Sequence, residues 1–226
     1  MIELAERPKT ISGATDDEIV ARVLAGEVAA FELLVRRHNQ IVYRTVRSIL
    51  RDDAEAEDVL QHAHVAAFQN LAQFRGGSKY STWLVRIAIH EARARLRKQG
   101  RFVELVDTDA DGAPGVWNMR MVRDPEKETG SRQLGRILEE LIDGLPIHHR
   151  AVFVLREVEG LSTAEVAEAL DVTEDNVKTR LHRAKAALRD RLTERLGAAA
   201  VEVWRFEAPR CDRVWAGVLE AIGAER

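Results

Sequence analysis

Apolar residues recur every three or four positions along this chain and show no convincing alternation, so the pattern predicts an all-α fold. Thr15 and Glu18 form a capping-box pair ahead of Ile19, Val20, Val23 and Leu24. Phe31, Leu34 and Val35 lead at helical spacing into Ile41, Val42, Val46, Ile49 and Leu50. The acidic run DDAEAED at 52–58 opens another stripe, Val59, Leu60, Ala63, Ala67 and Leu71. FRGGSKYS at 74–81 breaks the periodicity before a helix expected over about 82–98, with Leu84, Ala88, Ala92 and Leu96 turned inward. Together these elements predict a first helical domain over about 15–101.

From Phe102 to about Arg132 the periodicity fades and Asp, Gly and Pro accumulate, so 102–132 reads as an extended, mobile acidic linker. Leu134, Ile137, Leu138, Leu141, Ile142 and Leu145 begin a second set of helices. Gly144 and Pro146 turn the chain into a helix that includes Ala151, Val152, Val154, Leu155 and Val158, and Gly160 is placed to end it. Residues 161–188, LSTAEVAEALDVTEDNVKTRLHRAKAAL, complete a four-helix domain over about 133–195. The extension 196–226 offers Val214, Trp215, Val218, Leu219 and Ile222 as one apolar face, expected to dock on a domain or a partner.

The 161–188 stretch reads as a helix-turn-helix. Ser162 and Glu165 form a second capping box, and Val166, Ala167 and Leu170 line the first helix's inner face. Asp171-Val172-Thr173 is the connection, with Thr173 capping a second helix whose inner face is Val177, Leu181, Ala184 and Leu188. The opposite face carries Thr179, His182 and Arg183, flanked by Asn176, Lys178 and Arg180. A surface helical hairpin would show the same periodicity. A buried rear with a basic, hydrogen-bonding front is what reading a DNA major groove requires.

Charge refines this picture. The formal net charge is −3, which suits a DNA-binding protein only if the charges are segregated. They are: Arg86, Arg93, Arg95, Arg97, Lys98 and Arg101 face the single acid Glu91 over 83–101, while 52–58 and 104–111 are acidic. On the helix at 82–98, Arg86, His90, Arg93 and Arg97 form one outward stripe, a track suited to phosphates. Phe74, Tyr80 and Trp83 cluster just before it beside Gly76-Gly77, and aromatics next to a basic helix suit stacked, unpaired bases. A solvated charged face is the competing reading.

Other chemistries find little support. His62 and His64 stand about 200° apart on a helix, and His148-His149 are adjacent and splayed, so neither pair makes a metal site. One cysteine gives neither a disulfide framework nor zinc spacing. No nucleophile motif or phosphate loop is present, so neither a cofactor nor an enzymatic reaction is expected. No apolar run approaches the ~20 residues of a membrane span. MIELAERPKT lacks a secretory signal's apolar core, and a cytoplasmic location is expected.

With these residues in view, the chain resembles the extracytoplasmic-function (ECF) sigma factors, the group 4 members of the sigma-70 family. FRGGSKYSTWLVRIAIHEARARLRKQGR is similar to that family's promoter-melting and −10-recognition region. DAEAEDVLQHAHVAAFQNLAQF is similar to its core-polymerase-binding helix, and LPIHHRAVFVLREVEGLSTAEVAEALDVTEDNVKTRLHRAKAALRDRL to its −35-binding domain. The resemblance spans about 15–195. It implies a subunit that binds core RNA polymerase, at the β′ clamp helices and the β flap, and directs initiation at promoter DNA, usually under the control of an anti-sigma protein. It implies that Asp58 and Gln61 contact the clamp helices. Trp83 and the loop from Arg75 would assist strand opening, Arg93 and Arg97 would hold the −10 strand, and Tyr80, Arg86 and His90 are expected beside them as −10 DNA-binding residues. Thr179, His182 and Arg183 fall at −35 base-reading positions, with Asn176 beside them, and Lys178 and Arg180 would grip phosphates. His90 stands where many members carry Asn, and Val85 where they carry an aromatic. The acidic linker could occupy a cationic channel of the polymerase, as family linkers are thought to do, or serve as a solvated spacer. A conventional helix-turn-helix regulator and a sigma-mimicking interaction protein are the alternatives.

Overall fold

The structure, a computed structural model, describes residues 13–100 and 130–203, with side chains described over 13–100 and 135–195. The chain divides into two compact units, 1–186 and 187–226. Among the described residues every regular element is helical.

In the first unit, α1 spans Asp16–Leu24, α2 Phe31–Leu50, α3 Asp53–Gln69 and α4 Tyr80–Lys98. α5 (Gly130–Asp143), α6 (Ile147–Phe153) and α7 (Thr163–Leu170) follow, then α8 (Glu174–Val203), which runs on into the second unit. Side-chain caps set the starts. Thr15 accepts from the Glu18 amide while Glu18 accepts from the Thr15 amide, and Ser162 with Glu165 repeats the box. These reciprocal bonds satisfy amides that the first turn leaves unpaired. Asp52 caps α3 through the Glu55 amide, and Thr173 accepts from the Asn176 amide at the start of α8.

The ends are equally local in origin. Past Phe153 the chain loosens into a π-turn over Val154–Val158. Gly160 then takes φ +72°, and the Leu161 amide donates to the Leu155 carbonyl at 3.0 Å, closing the turn. Among the described residues, Arg51 after α2 and Asp171 after α7 adopt left-handed φ without glycine, both at φ 60°.

α2, α3 and α4 pack together around Val42, Val46, Val59, Ala63, Leu84 and Ala88, each 0–1% exposed. That core does not stop at the first helical set. It continues into Ala151, Val152, Leu155, Val166 and Leu170, because α4 also packs on α7 and α2 on α6. The two domains expected from the sequence therefore share one core within the first unit. The expected linker and tail fall mainly outside the described residues. At their described margins the helices run further than expected: α5 begins at Gly130, inside the linker range, and α8 continues to Val203, past 195.

Candidate nucleic-acid interface

The front of the helix-turn-helix follows from its rear. Val177 and Ala184 of α8 are fully buried, and this turns Lys178, Thr179, His182 and Arg183 outward to exposed positions. Asn176 is half-buried at the edge. Thr179 spends its hydroxyl proton within the helix, donating to the Asp175 carbonyl at 2.9 Å, which leaves its oxygen and methyl for a base edge. Lys178 pairs with Asp175 at 2.9 Å. Arg180 departs from the expectation of a solvent-facing phosphate grip, because the structure buries it to 8% exposure. It lies with Arg183 near His148 and His149, and the two cations depress both imidazoles, though burial is the larger cause. His149 is pushed down to about 4, so it is neutral near neutral pH.

α4 carries the second basic face. Its inner positions Leu84, Ala88, Ala92 and Leu96 are all buried, and Arg86, His90 and Arg97 are exposed as the periodicity requires. Burial lowers the His90 pKa, with Arg93 and Arg86 adding to the effect. Two aromatic expectations separate. Trp83 is half-buried, with an edge available. Tyr80 is 1% exposed, its ring 5.5 Å from Phe74, 5.7 Å from Trp83 and 5.3 Å from His38, so it supports the cluster from beneath. Val85 is also fully buried and faces the core.

On α3, Gln61 is exposed beside His62, Val65 and Phe68. Asp58 is half-buried and already engaged, because the Arg95 guanidinium of α4 bridges it and Glu55. The bridge fixes α3 against α4.

Other engaged groups escaped the sequence reading. Arg93 of α4 donates from Nη2 to the Leu170 carbonyl at 2.7 Å. Lys79, the N-cap residue of α4, pairs with Glu165 at 2.8 Å and, with the Ser162 amide, pulls that carboxyl down to about 2. Arg150 is 1% exposed and donates to the carbonyls of Ser48, Asp143 and Leu145. The Arg93–Leu170, Lys79–Glu165 and Arg150–Ser48 ties are non-local, and no single-helix periodicity encodes them. No cluster of three or more metal-ligating side chains occurs among the described residues. None of the described helices is long and apolar enough to cross a membrane.

A helix-turn-helix and a basic, aromatic-led helix built on one helical core define a DNA-binding protein of transcription. Its relatives fix which. The sigma-70 region 2 family matches residues 34–102 and the sigma-70 region 4 family residues 135–188. An ECF RNA polymerase sigma-E factor of Haemophilus influenzae is 35% identical over 79% of this chain and 95% of its own. The sigma-E factor of Escherichia coli K12 is also 35% identical, over 77% and 92%. An RNA polymerase sigma-H factor of Pseudomonas aeruginosa is 32% identical over 76% and 91%. The chain belongs to the ECF sigma factors of the sigma-70 family, generally non-enzymatic regulators, and directs promoter-specific initiation by RNA polymerase. Two solved structures share the fold. One is CnrH in complex with the cytosolic domain of CnrY (TM-score 0.56, 24% identity, 78% of this chain and 96% of that one). The other is RpoE in complex with the anti-sigma factor NepR from Bartonella quintana (TM-score 0.53, 22% identity, 76% and 98%).

Proposed function

We propose that the two basic faces divide the promoter between them. α8 reads the −35 duplex through Thr179, His182 and Arg183, with Lys178 holding a phosphate and Asn176 at the edge. α4 takes the −10 strand: Arg86, His90, Arg93 and Arg97 follow its backbone, and Trp83 wedges the opened step. Tyr80 acts beneath Trp83 by fixing its plane, and Arg180 acts beneath the recognition face. The segments 15–101 and 133–195 are the two functional domains in this reading, joined by the acidic linker 102–132.

Gln61 and the exposed side of α3 meet the clamp helices of core polymerase. Asp58 contributes through its bridge to Arg95. An anti-sigma protein is the expected regulator, as the anti-sigma factor NepR is the partner in the complex with RpoE. The site of action is the cytoplasm, and neither a reaction nor a metal or cofactor belongs to the chain.

The observation that carries this reading is the orientation of α8, whose Val177 and Ala184 are fully buried while Thr179, His182 and Arg183 are exposed together. The test is run-off transcription with core polymerase and a library of genomic promoters. Initiation is expected at a discrete set of promoters that core alone ignores. Failure at every promoter would overturn the reading.

A further inference from the structure

The first turn of α4 is held from beneath rather than at its end. α1, α3, α7 and α8 each start with a side-chain cap, from Thr15, Asp52, Ser162 and Thr173, whereas α4 starts without one. Gly76 and Gly77 precede it, Gly76 at φ +70°. Uncapped helix ends fray, so an aromatic at Trp83, in the first turn, needs an anchor elsewhere. A line of side chains below it supplies one. The Trp83 ring lies 5.7 Å from Tyr80 and 5.4 Å from Phe74, and Tyr80 lies 5.3 Å from His38 of α2. Beneath that, His38 Nε2 meets Oδ2 of Asp16, the first residue of α1, at 2.9 Å. A carboxylate only accepts, so Nε2 is the donor, and the bond fixes the plane of the imidazole. Tyr80 and His38 are 1% and 7% exposed, so these contacts and not solvent set their orientation. An apolar side chain would fill the space under Tyr80 without the cost of burying an imidazole. A paired imidazole adds direction, which apolar packing lacks.

We propose that Asp16 and His38 are positioning residues for strand opening, holding Trp83 through the Tyr80 ring in the plane it needs to enter the opened step. The inference rests on the wedge role proposed for Trp83. A reacting constellation works only when the groups behind it lock its geometry, and a displacement of about 1 Å is enough to slow a step markedly. The effect of Asp16 and His38 passes through the stacked rings alone. It therefore acts on the opening step and leaves initial docking on the promoter, which belongs to α8 and the arginines of α4, unchanged.

The experiment uses the full chain with core polymerase on a promoter chosen by the run-off library, carrying 2-aminopurine in the −10 element. Following its fluorescence across holoenzyme concentrations separates initial affinity from the rate of opening. Asp16→Ala should slow opening about threefold or more, with initial affinity within about twofold of the parent. Asp16→Asn, whose amide oxygen still accepts from Nε2, should recover most of that rate. His38→Gln keeps a donor for Asp16 but puts no ring beneath Tyr80, and should be as slow as Asp16→Ala. Arg37→Gln removes the other bonds that α2 makes to Asp16 and to the Ala14 carbonyl, and should open at the parent rate. In a Trp83→Ala background Asp16→Ala should add nothing, because the ring it aims is gone. Opening at the parent rate in Asp16→Ala or His38→Gln overturns the positioning role, as do effects that multiply in the double variant. Equal losses in Asp16→Ala and Arg37→Gln also overturn it, since they mark plain anchoring of α1. A Trp83→Ala protein that opens at the parent rate overturns instead the wedge reading beneath it, and this inference falls with it.

Discussion

The Arg150 guanidinium, all but sealed from solvent, donates to the main-chain carbonyl of Ser48, a residue 102 positions earlier in the chain. It also serves the carbonyls of Asp143 and Leu145, so one side chain ties α2 to the turn between α5 and α6. Burial pushes its pKa down to about 9, which still leaves it a cation at neutral pH. Arg150→Met keeps the volume but strands three carbonyls, and should cost about 3 kcal/mol or more. Arg150→Lys should recover only part, because an ammonium lacks the planar fork. Urea unfolding of the three proteins measures this.

Tyr80 separates support from contact. Its buried hydroxyl has no hydrogen-bond partner among the described residues, so Tyr80→Phe should leave stability unchanged or raise it by up to about 1 kcal/mol. Promoter opening, followed by permanganate reactivity of unpaired thymines, should be unaffected. Trp83→Ala should reduce opening several-fold. A loss in Tyr80→Phe equal to that in Trp83→Ala would return Tyr80 to the strand.

On α3 the two expected polymerase contacts should part company. Gln61→Ala should weaken core binding with no change in melting temperature, because the side chain is exposed. Asp58→Asn should weaken core binding less. It should also shift stability slightly, by about 1 kcal/mol or less, since its ion pair with Arg95 is half exposed. Titrating core polymerase with labelled variants gives the first quantity and thermal melts the second.

Acid should destabilise the fold through buried imidazoles. His64 is 6% exposed, its Nε2 is 2.9 Å from Asn39 Oδ1, and its Nδ1 has no hydrogen-bond partner among the described residues. Burial pushes its pKa down to about 4, against 6.5 when free. Between these values the unfolded chain binds more protons, so stability is full above the free value and falls as pH drops towards 4. The loss from His64 alone is about 2–3 kcal/mol. Urea midpoints between pH 7 and 4.5 should fall more steeply for the parent than for His64→Gln.

The recognition face should behave as an address. Replacing His182 or Arg183 should change the preferred −35 base pairs by about 1–3 kcal/mol per position. Lys178→Ala should instead weaken all sequences alike and flatten the salt dependence. Binding measured across a randomised −35 library separates the two.

Much of this was readable because it is local. Both capping boxes form as their spacing required, and the inward stripe of α4 is buried throughout. A helical wheel also placed Thr179, His182 and Arg183 outward. The same wheel misplaced Arg180, because a position at the edge of a face is decided by whichever neighbour packs there. The burial of Tyr80 was not legible for a related reason: an aromatic beside a basic helix can line a site or support it, and its contact with His38, 42 positions away and part of α2, is invisible to local pattern. Arg93 looked free because the carbonyl it meets, 77 residues later, belongs to another helix.

Arg51 closes α2 in a left-handed conformation, at φ 60°, that costs a side-chain-bearing residue about 1 kcal/mol and glycine almost nothing. Its guanidinium reaches the Leu145 carbonyl at 3.1 Å, a reach no glycine has. Arg51→Gly would therefore relax the backbone and release a tether in one step. A chain with that glycine would have an easier turn and a looser tie between α2 and the turn that follows α5.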